Sequence, residues 1–198
     1  MLANLVTLAR VPLLGVIVFL LYLPYAIAQF IAAPLIVILI LMDTLDGFLA
    51  RSRKEASIVG SVLDIAADRA VEYVLWIVFA HLRLIPVLIP ILVLLRGTFV
   101  DAIRSMAPAQ GLKPFDLMRT NIGRFLVGSP WLRSPYAIVK AAAFTLLALV
   151  SGLDAAGHPL HAFFYHVARA AVWIALAICL LRGVPVLIEG PKALREQG

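Results

Sequence analysis

Apolar residues fill long stretches of this chain, and polar residues are more frequent in the segments between them. A helix that crosses the hydrocarbon core of a bilayer needs about 20 mostly apolar residues. Six stretches meet this requirement, and we predict a transmembrane helix in each: residues 9–27, 30–51, 58–81, 85–105, 134–153 and 161–183. The pattern predicts an all-α integral membrane protein with a juxtamembrane segment before the first helix and a single domain over residues 1–198.

Composition leads to the same class. Hydrophobic residues make up 63% of the 198 positions and charged residues 14%, with a mean hydropathy of +1.03. Soluble domains carry about 25% charged residues. The net charge of +6 could indicate nucleic-acid binding, but in a membrane protein it more often reflects basic loops near anionic lipid. We therefore expect membrane lipids, and no nucleic acid, as partners.

The basic residues also predict the orientation of the chain. With the N-terminus inside, 12 of the 17 basic residues, Arg182 among them, lie at or near the cytoplasmic side, whereas the opposite loops hold Arg83 and little else. Both termini are then cytoplasmic, and the segment 106–131 lies along the cytoplasmic face. Tyr136 falls in an interfacial aromatic belt. We place the protein in the inner (cell) membrane.

Four aspartates lie near the inner ends of the second and third predicted helices. Asp43 and Asp46 are spaced i, i+3, and Asp64 and Asp68 are spaced i, i+4, so each pair shares a helix face. Two like charges about 4 Å apart repel by about 4 kcal/mol at an effective dielectric of 20, and burial adds a desolvation penalty. A divalent cation offsets both effects. Carboxylate ligands favour Mg²⁺ or Mn²⁺ over zinc, and Mg²⁺ usually completes its shell with substrate phosphates.

These aspartates belong to a longer pattern with fixed spacing, D-x2-D-G-x2-A-R-x8-G-x3-D-x3-D. Its eight defined positions are Asp43, Asp46, Gly47, Ala50, Arg51, Gly60, Asp64 and Asp68. The pattern resembles the signature of the CDP-alcohol phosphotransferase (CDP-alcohol phosphatidyltransferase) family. The N-terminal stretch NLVTLAR is similar to an Asn-x2-Thr-x2-Arg element of the same family, at Asn4, Thr7 and Arg10.

The resemblance implies a six-helix membrane enzyme, usually a homodimer, whose active site faces the cytoplasm. It implies transfer of a substituted phosphoryl group from a CDP-linked lipid donor, commonly CDP-diacylglycerol, to a small polar alcohol, with release of CMP. Two Mg²⁺ or Mn²⁺ ions would be held by Asp43, Asp46, Asp64 and Asp68, and Asp68 would also act as the general base. The implied CDP-binding residues are Thr7, Arg10, Gly47, Ala50, Arg51 and Gly60.

Further cations lie in the later predicted helices. Arg96 lies about 12 Å along its helix from Arg104 at 1.5 Å per residue, and Lys140 lies a similar way into the next predicted span. They are either counter-ions for the aspartates or ligands for a phosphorylated acceptor. On the second interpretation the acceptor-binding residues are Arg96, Arg104, Lys140 and Arg119, with lipid headgroup contact as the alternative for Arg119.

A phosphorylated acceptor, such as glycerol 3-phosphate or inositol phosphate, makes the chain closest in character to phosphatidylglycerophosphate or phosphatidylinositol-phosphate synthases. Those enzymes often carry Gly-Lys-x-Lys-Thr in the fifth helix, whereas this chain reads AIVKAAAFT, with only Lys140 in place. A neutral alcohol as the acceptor, or a non-standard lipid backbone, therefore stays open.

Two other classes fit part of the pattern. Intramembrane carboxylates also mark cation-coupled transporters, but those usually show repeats and broken helices, which this chain lacks. Membrane prenyltransferases use two separated aspartate motifs, and this chain has one. The histidines at 158, 161 and 166 are interpreted as interfacial residues and not as metal ligands.

Overall fold

The computed structural model describes residues 2–52, 58–107, 118 and 120–195. The side chains of residues 2–6, 43–52, 58–59, 61, 130–133 and 194–195 lie outside this description. The helices are α1 (Leu2–Tyr22), α2 (Ala26–Ser52), α3 (Ile58–His81), α4 (Leu88–Met106), α5 (Asn121–Gly128), α6 (Pro130–Ala155) and α7 (His161–Arg195). No strand occurs in these described ranges, which confirms the all-α prediction.

Each predicted span corresponds to one helix, but some ends were wrong. The first span was predicted to end at residue 27, whereas α1 ends at Tyr22 and α2 begins at Ala26. Pro24 lies in the break, and the residue before a proline is disfavoured in a helical conformation. The last span was predicted to end at residue 183, whereas α7 continues to Arg195 through Pro185 and Pro191. Both Val186 and Ala193 are buried, so packing sustains this helix past its prolines.

Two apolar helical segments are long enough to cross a membrane, Ser134–Ala155 and His161–Ala193, within the part of the chain that the structure describes. The apolar segments Thr7–Tyr22 and Ala26–Met42 are shorter. The number of crossings and the orientation of the termini stay predictions.

The helices divide into two compact units. The first unit comprises Met1–Val87 and Ala141–Ala170, and the second comprises Leu88–Lys140 and Ala171–Gly198. In the first unit α1 packs against both α2 and α3. Arg10 contacts Asp68 at one level, and Tyr22 contacts His81 about 18 Å further along α1 at 1.5 Å per residue. Helices α1 and α3 therefore run parallel, and α2, which connects them, runs antiparallel to both.

Polar side chains connect the helices at the end of the first unit where Tyr22 lies. Gln29, at the start of α2, donates from Nε2 to the carbonyl oxygen of Leu23 at 3.0 Å and accepts from Ser151 Oγ at 3.0 Å. Further in, the Phe144 ring packs edge-on to Trp76 at 4.7 Å and stacks with Phe79 at 6.1 Å, all three fully buried. These contacts pack α6 against α2 and α3 and so hold in place the helix that carries Asp64 and Asp68.

The core of the second unit joins α4, α5 and α7. Its buried members are Val100, Ala107, Met118, Val127, Val186 and Ala193, with Ile103 packed against them. A Cβ atom at residue 190 would lie 2.5 Å from Cγ2 of Ile103, so α4 and α7 approach closely there. Small residues permit this kind of contact between apolar helices.

Candidate functional site

A buried arginine lies beside two of the predicted metal ligands in the first unit. The Arg10 side chain is only 3% exposed, and its Nη2 donates to Asp68 Oδ1 at 2.8 Å. Its Nη1 lies 3.7 Å from Asp64 Oδ1. The two carboxylates are 49% and 44% exposed, so they reach solvent while the arginine lies beneath them. A buried guanidinium needs such partners because an unpaired charge is strongly disfavoured there.

The two aspartates are brought together by the period of α3. Four residues separate them, so they project from the same face one turn apart. Gly60 lies one further turn toward the start of α3 and is half-buried, and Thr7 lies one turn before Arg10 and is 5% exposed. The structure therefore brings four predicted residues to one end of the unit: Thr7 and Arg10 from α1, Asp64 and Asp68 from α3.

The other half of the predicted cluster is known only through the backbone of α2. Counted at 1.5 Å per residue, Asp43 lies about 26 Å from Ala26, and Asp64 lies about 26 Å from His81. Because Ala26 and His81 both lie at the end of the unit that carries Tyr22, Asp43 and Asp64 lie at about the same distance from that end. The side chains of five predicted residues, Asp43, Asp46, Gly47, Ala50 and Arg51, lie outside the description, and so does Arg119.

The donor set fits a hard divalent cation. Asp64 and Asp68 supply two carboxylates that reach solvent, and carboxylate oxygens are the ligands that Mg²⁺ and Mn²⁺ prefer. Among the described side chains no group of three metal-ligating residues lies together, and the side chains of Asp43 and Asp46 are not part of that description. The metal assignment therefore rests on the sequence and on this half of the site.

The acidic face of α3 continues into the helix interior. Glu72 follows Asp68 by one turn, its side chain is 5% exposed, and Arg69 Nη1 donates to its Oε2 at 3.2 Å. Arg69 thus pairs with Glu72 within α3, and Arg10 pairs from α1 with the predicted catalytic carboxylate of Asp68.

Arg96 lies in the second unit, against the backbone of α7. A Cβ atom at residue 183 would lie 2.7 Å from Arg96 Cγ and 2.8 Å from its Nε, so Gly183 makes room for this side chain. The Arg96 Nε is buried and has no hydrogen-bond partner among the described residues. A buried guanidinium N–H of this kind is suited to an anionic oxygen. Arg104 lies two turns further along α4.

Two further cations meet at one aromatic ring in the second unit. Lys140 Nζ lies 5.4 Å from the centroid of the Tyr136 ring, and Arg182 Cζ lies 5.8 Å from the same centroid. Arg182 directly precedes Gly183, so α7 links this pair of cations to Arg96. Two cations on one ring repel each other, and an anion bound between them would offset that repulsion.

Tyr136 and Arg182 were missed as site candidates by sequence reasoning. Tyr136 was assigned to an interfacial belt, and Arg182 was counted only among the cytoplasmic basic residues. The available signal was the i, i+4 spacing of Tyr136 and Lys140, which places a cation over a ring on one helix face. No local spacing indicated that Arg182 of α7 would contact this ring.

The histidines remain separate from the aspartate site. His161 Nε2 lies 3.8 Å from Asp154 Oδ1 at the turn between α6 and α7, and no metal-ligating trio occurs among the described side chains. The interfacial role of these histidines stays a prediction.

Comparison with known proteins gives one family. The sequence model for CDP-alcohol phosphatidyltransferases matches residues 1–181, a stretch that runs through both compact units. The comparison with curated proteins found no match.

Proposed function

The chain belongs to the CDP-alcohol phosphatidyltransferase family, and we propose that it transfers a phosphatidyl group from CDP-diacylglycerol, or a similar CDP-linked lipid, to a phosphorylated polar alcohol. Members of this family are transferases of substituted phosphate groups that act in phospholipid biosynthesis, and they generally depend on a divalent metal. The family match over residues 1–181 is the observation that carries the proposed reaction. Because it runs through both units, we treat residues 1–198 as one functional domain.

In the proposed reaction Asp68 is the general base. Its carboxylate accepts the proton of the acceptor hydroxyl, whose oxygen then attacks the phosphatidyl phosphorus. As the new P–O bond forms, the bond to CMP breaks and CMP leaves with the electron pair. Arg10 supports this role because its contact with Oδ1 fixes the direction of the Asp68 side chain. The buried Arg10 is held in place by Asp64 as well.

The metal ligands of this proposal are Asp43, Asp46, Asp64 and Asp68, with two Mg²⁺ or Mn²⁺ ions. When bound, the metal stabilises charge on the diphosphate and on the leaving group. The CDP-binding residues are Thr7, Arg10, Gly47, Ala50, Arg51 and Gly60. The positions without a bulky side chain among them let a nucleotide approach the helix backbone closely.

The acceptor phosphate is assigned to the cations of the second unit. Arg96 and Arg104 come from α4 and Lys140 comes from α6. Helix α7 adds Arg182, which contacts the Tyr136 ring and directly precedes Gly183, the residue packed against Arg96. Arginine and lysine are the usual ligands of phosphate groups in proteins. Glycerol 3-phosphate and inositol phosphate are therefore the favoured acceptors. Arg119 stays in the proposal on its sequence position alone.

The apolar helices and the family indicate a membrane protein. We propose six crossings, both termini in the cytoplasm, and an active site that opens to the cytoplasmic side of the inner membrane, on the strength of the basic residues in the predicted inner segments. A homodimer is part of the same proposal. The family match gives no support to a cation-coupled transporter.

Matched pairs of acceptors test the proposed substrate class. Purified protein is given CDP-diacylglycerol with glycerol 3-phosphate or glycerol, and with inositol phosphate or inositol, and the lipid product is measured. A charge-assisted hydrogen bond contributes about 1.5–3 kcal/mol, so the phosphorylated member should be favoured about 10- to 150-fold. Equal or better turnover with the neutral alcohols would contradict the phosphate site.

Truncation of the cations in the second unit should weaken acceptor binding selectively. Arg96→Ala and Lys140→Ala are each expected to raise the KM for the phosphorylated acceptor about 10- to 150-fold, with little change in the KM for CDP-lipid. Lys192→Ala, at an exposed position of α7, is the control. If both KM values rise together, these cations are counter-ions and do not bind the acceptor.

A methyl group at Gly183 should reproduce part of the Arg96 effect without removing any charge. Its Cβ would lie 2.7 Å from the Arg96 stem, so Gly183→Ala must displace that side chain. We expect a raised acceptor KM with an unchanged KM for CDP-lipid. Gly15→Ala is the matched control because a Cβ there meets nothing within 4 Å. An unchanged acceptor KM in Gly183→Ala would show that the position of Arg96 is irrelevant to the acceptor.

A further inference from the structure

Helix α5 is the short helix of the second unit, and it is apolar on two opposite faces. Gly123 and Val127 are buried, and Val127 belongs to the core shared with α4 and α7. On the opposite side Ile122 is 72% exposed and Phe125 is 56% exposed. The described residues cover one apolar face of the helix and leave the other exposed. A soluble surface helix would place polar residues there.

The orientation of α5 is fixed at both ends by α7. Thr120, the N-cap of α5, donates its backbone N–H and its Oγ1 to Glu189 at 3.0 and 2.6 Å, and its Oγ1 accepts from the Gly123 N–H at 2.9 Å. Near the other end Arg182 Nε donates to the carbonyl oxygen of Leu126 at 3.3 Å. Hydrogen bonds at both ends of α5 restrict its rotation about the helix axis, so the same face stays exposed.

The stretch of sequence that contains α5 is basic, as is favourable for contact with an anionic surface. Residues 106–133 contain four basic residues and one acidic residue, which gives a net charge of +3: Lys113, Arg119, Arg124 and Arg133 against Asp116. Arg124 itself is exposed on α5, and its Nε donates to the carbonyl oxygen of Met118 at 3.0 Å. Basic residues near apolar side chains are typical of helices that lie in the headgroup region of anionic membranes.

We propose that the outer face of α5, formed by Ile122, Arg124 and Phe125, docks on the anionic phospholipid surface of the membrane, with the two apolar side chains inserted below the headgroups. The helix then lies in the interface plane and does not cross the bilayer, since its eight residues span about 12 Å at 1.5 Å per residue. This contact does not depend on which acceptor the enzyme uses.

Spin labels on the full-length protein test this docking. The chain has a single cysteine, Cys179, which is buried, so a Cys179→Ser background accepts one label at a time. Labels are placed at Ile122→Cys or Phe125→Cys, and at Asp154→Cys as an exposed control. In phosphatidylglycerol vesicles, collisions with oxygen, which concentrates in hydrocarbon, are compared with collisions with a water-soluble nickel complex.

We expect the labels on α5 to favour oxygen and the label at 154 to favour nickel. In pure phosphatidylcholine the α5 labels should shift toward nickel, and Arg124→Gln should reduce the difference between the two lipids. Labels that behave like the one at 154 would overturn the proposal, because α5 would then lie in water. Labels shielded from both reagents would also overturn it, because protein and not lipid would cover the face. The same depth in both lipids would refute the anionic preference.

Discussion

Replacement of Asp68 by asparagine is expected to lower turnover by about 10²- to 10⁴-fold, the range typical for the loss of a general base. Asparagine has nearly the same shape and keeps an oxygen that can accept from Arg10, so the contact at Oδ1 can persist. The substitution removes the carboxylate charge that takes the proton from the hydroxyl of the acceptor alcohol. Binding of the CDP-lipid should survive, and the measurement is kcat together with the binding of CDP in the same variant.

Asp154→Asn provides the control for this substitution, because Asp154 is 72% exposed and pairs with His161 away from the aspartate site. Its turnover should equal that of the wild type. Near-normal turnover in Asp68→Asn would reject the assignment of the base. Loss of CDP binding with little further effect on kcat would instead make Asp68 a metal ligand without a role in proton transfer.

Removal of divalent metal is expected to abolish turnover, and added Mg²⁺ or Mn²⁺ should restore it. Asp64 and Asp68 supply two carboxylates at one end of the first unit, and the backbone of α2 places Asp43 at a matching level. A chelator already saturated with Mg²⁺ is the control and should leave activity unchanged. Full activity in excess free chelator would contradict the metal assignment.

Metal binding also has a readout that does not use activity. A ligand at 100 times its Kd stabilises the folded state by about 2.7 kcal/mol, so Mg²⁺ should raise the melting temperature of the wild-type protein. The rise should shrink in Asp64→Asn, which removes one charged ligand. An equal rise in both proteins would show that the stabilising ion binds elsewhere.

Local spacing was enough to predict the aspartate face of α3. Asp64 and Asp68 share a face because the helix period repeats close to four residues, and every predicted span has a helix in the structure. The contact of Arg10 with Asp68 joins residues 58 positions apart, so no local period could reveal it. The N-terminal Asn-x2-Thr-x2-Arg element predicted the residue through family resemblance, but not its partner.

The arrangement in the second unit was harder to predict for a similar reason. Lys140 could be singled out as a cation in an apolar helix, but the contact of Arg182 with the Tyr136 ring depends on how α6 and α7 pack. Gly183 carries no signal until Arg96 is seen against it. The end of the last helix was predicted too early, because packing of Val186 and Ala193 sustains α7 past Pro185 and Pro191.

Release of CMP, measured together with formation of a new phospholipid, tests the central claim most directly. Purified protein is supplied with CDP-diacylglycerol, Mg²⁺ and a phosphorylated alcohol, and both products are counted. A phosphatidyl transfer predicts one CMP for each lipid formed, and neither product when the alcohol is omitted. No CMP with any alcohol, or CMP released without a new lipid, would contradict the assignment of this chain as a CDP-alcohol phosphatidyltransferase that acts on such acceptors.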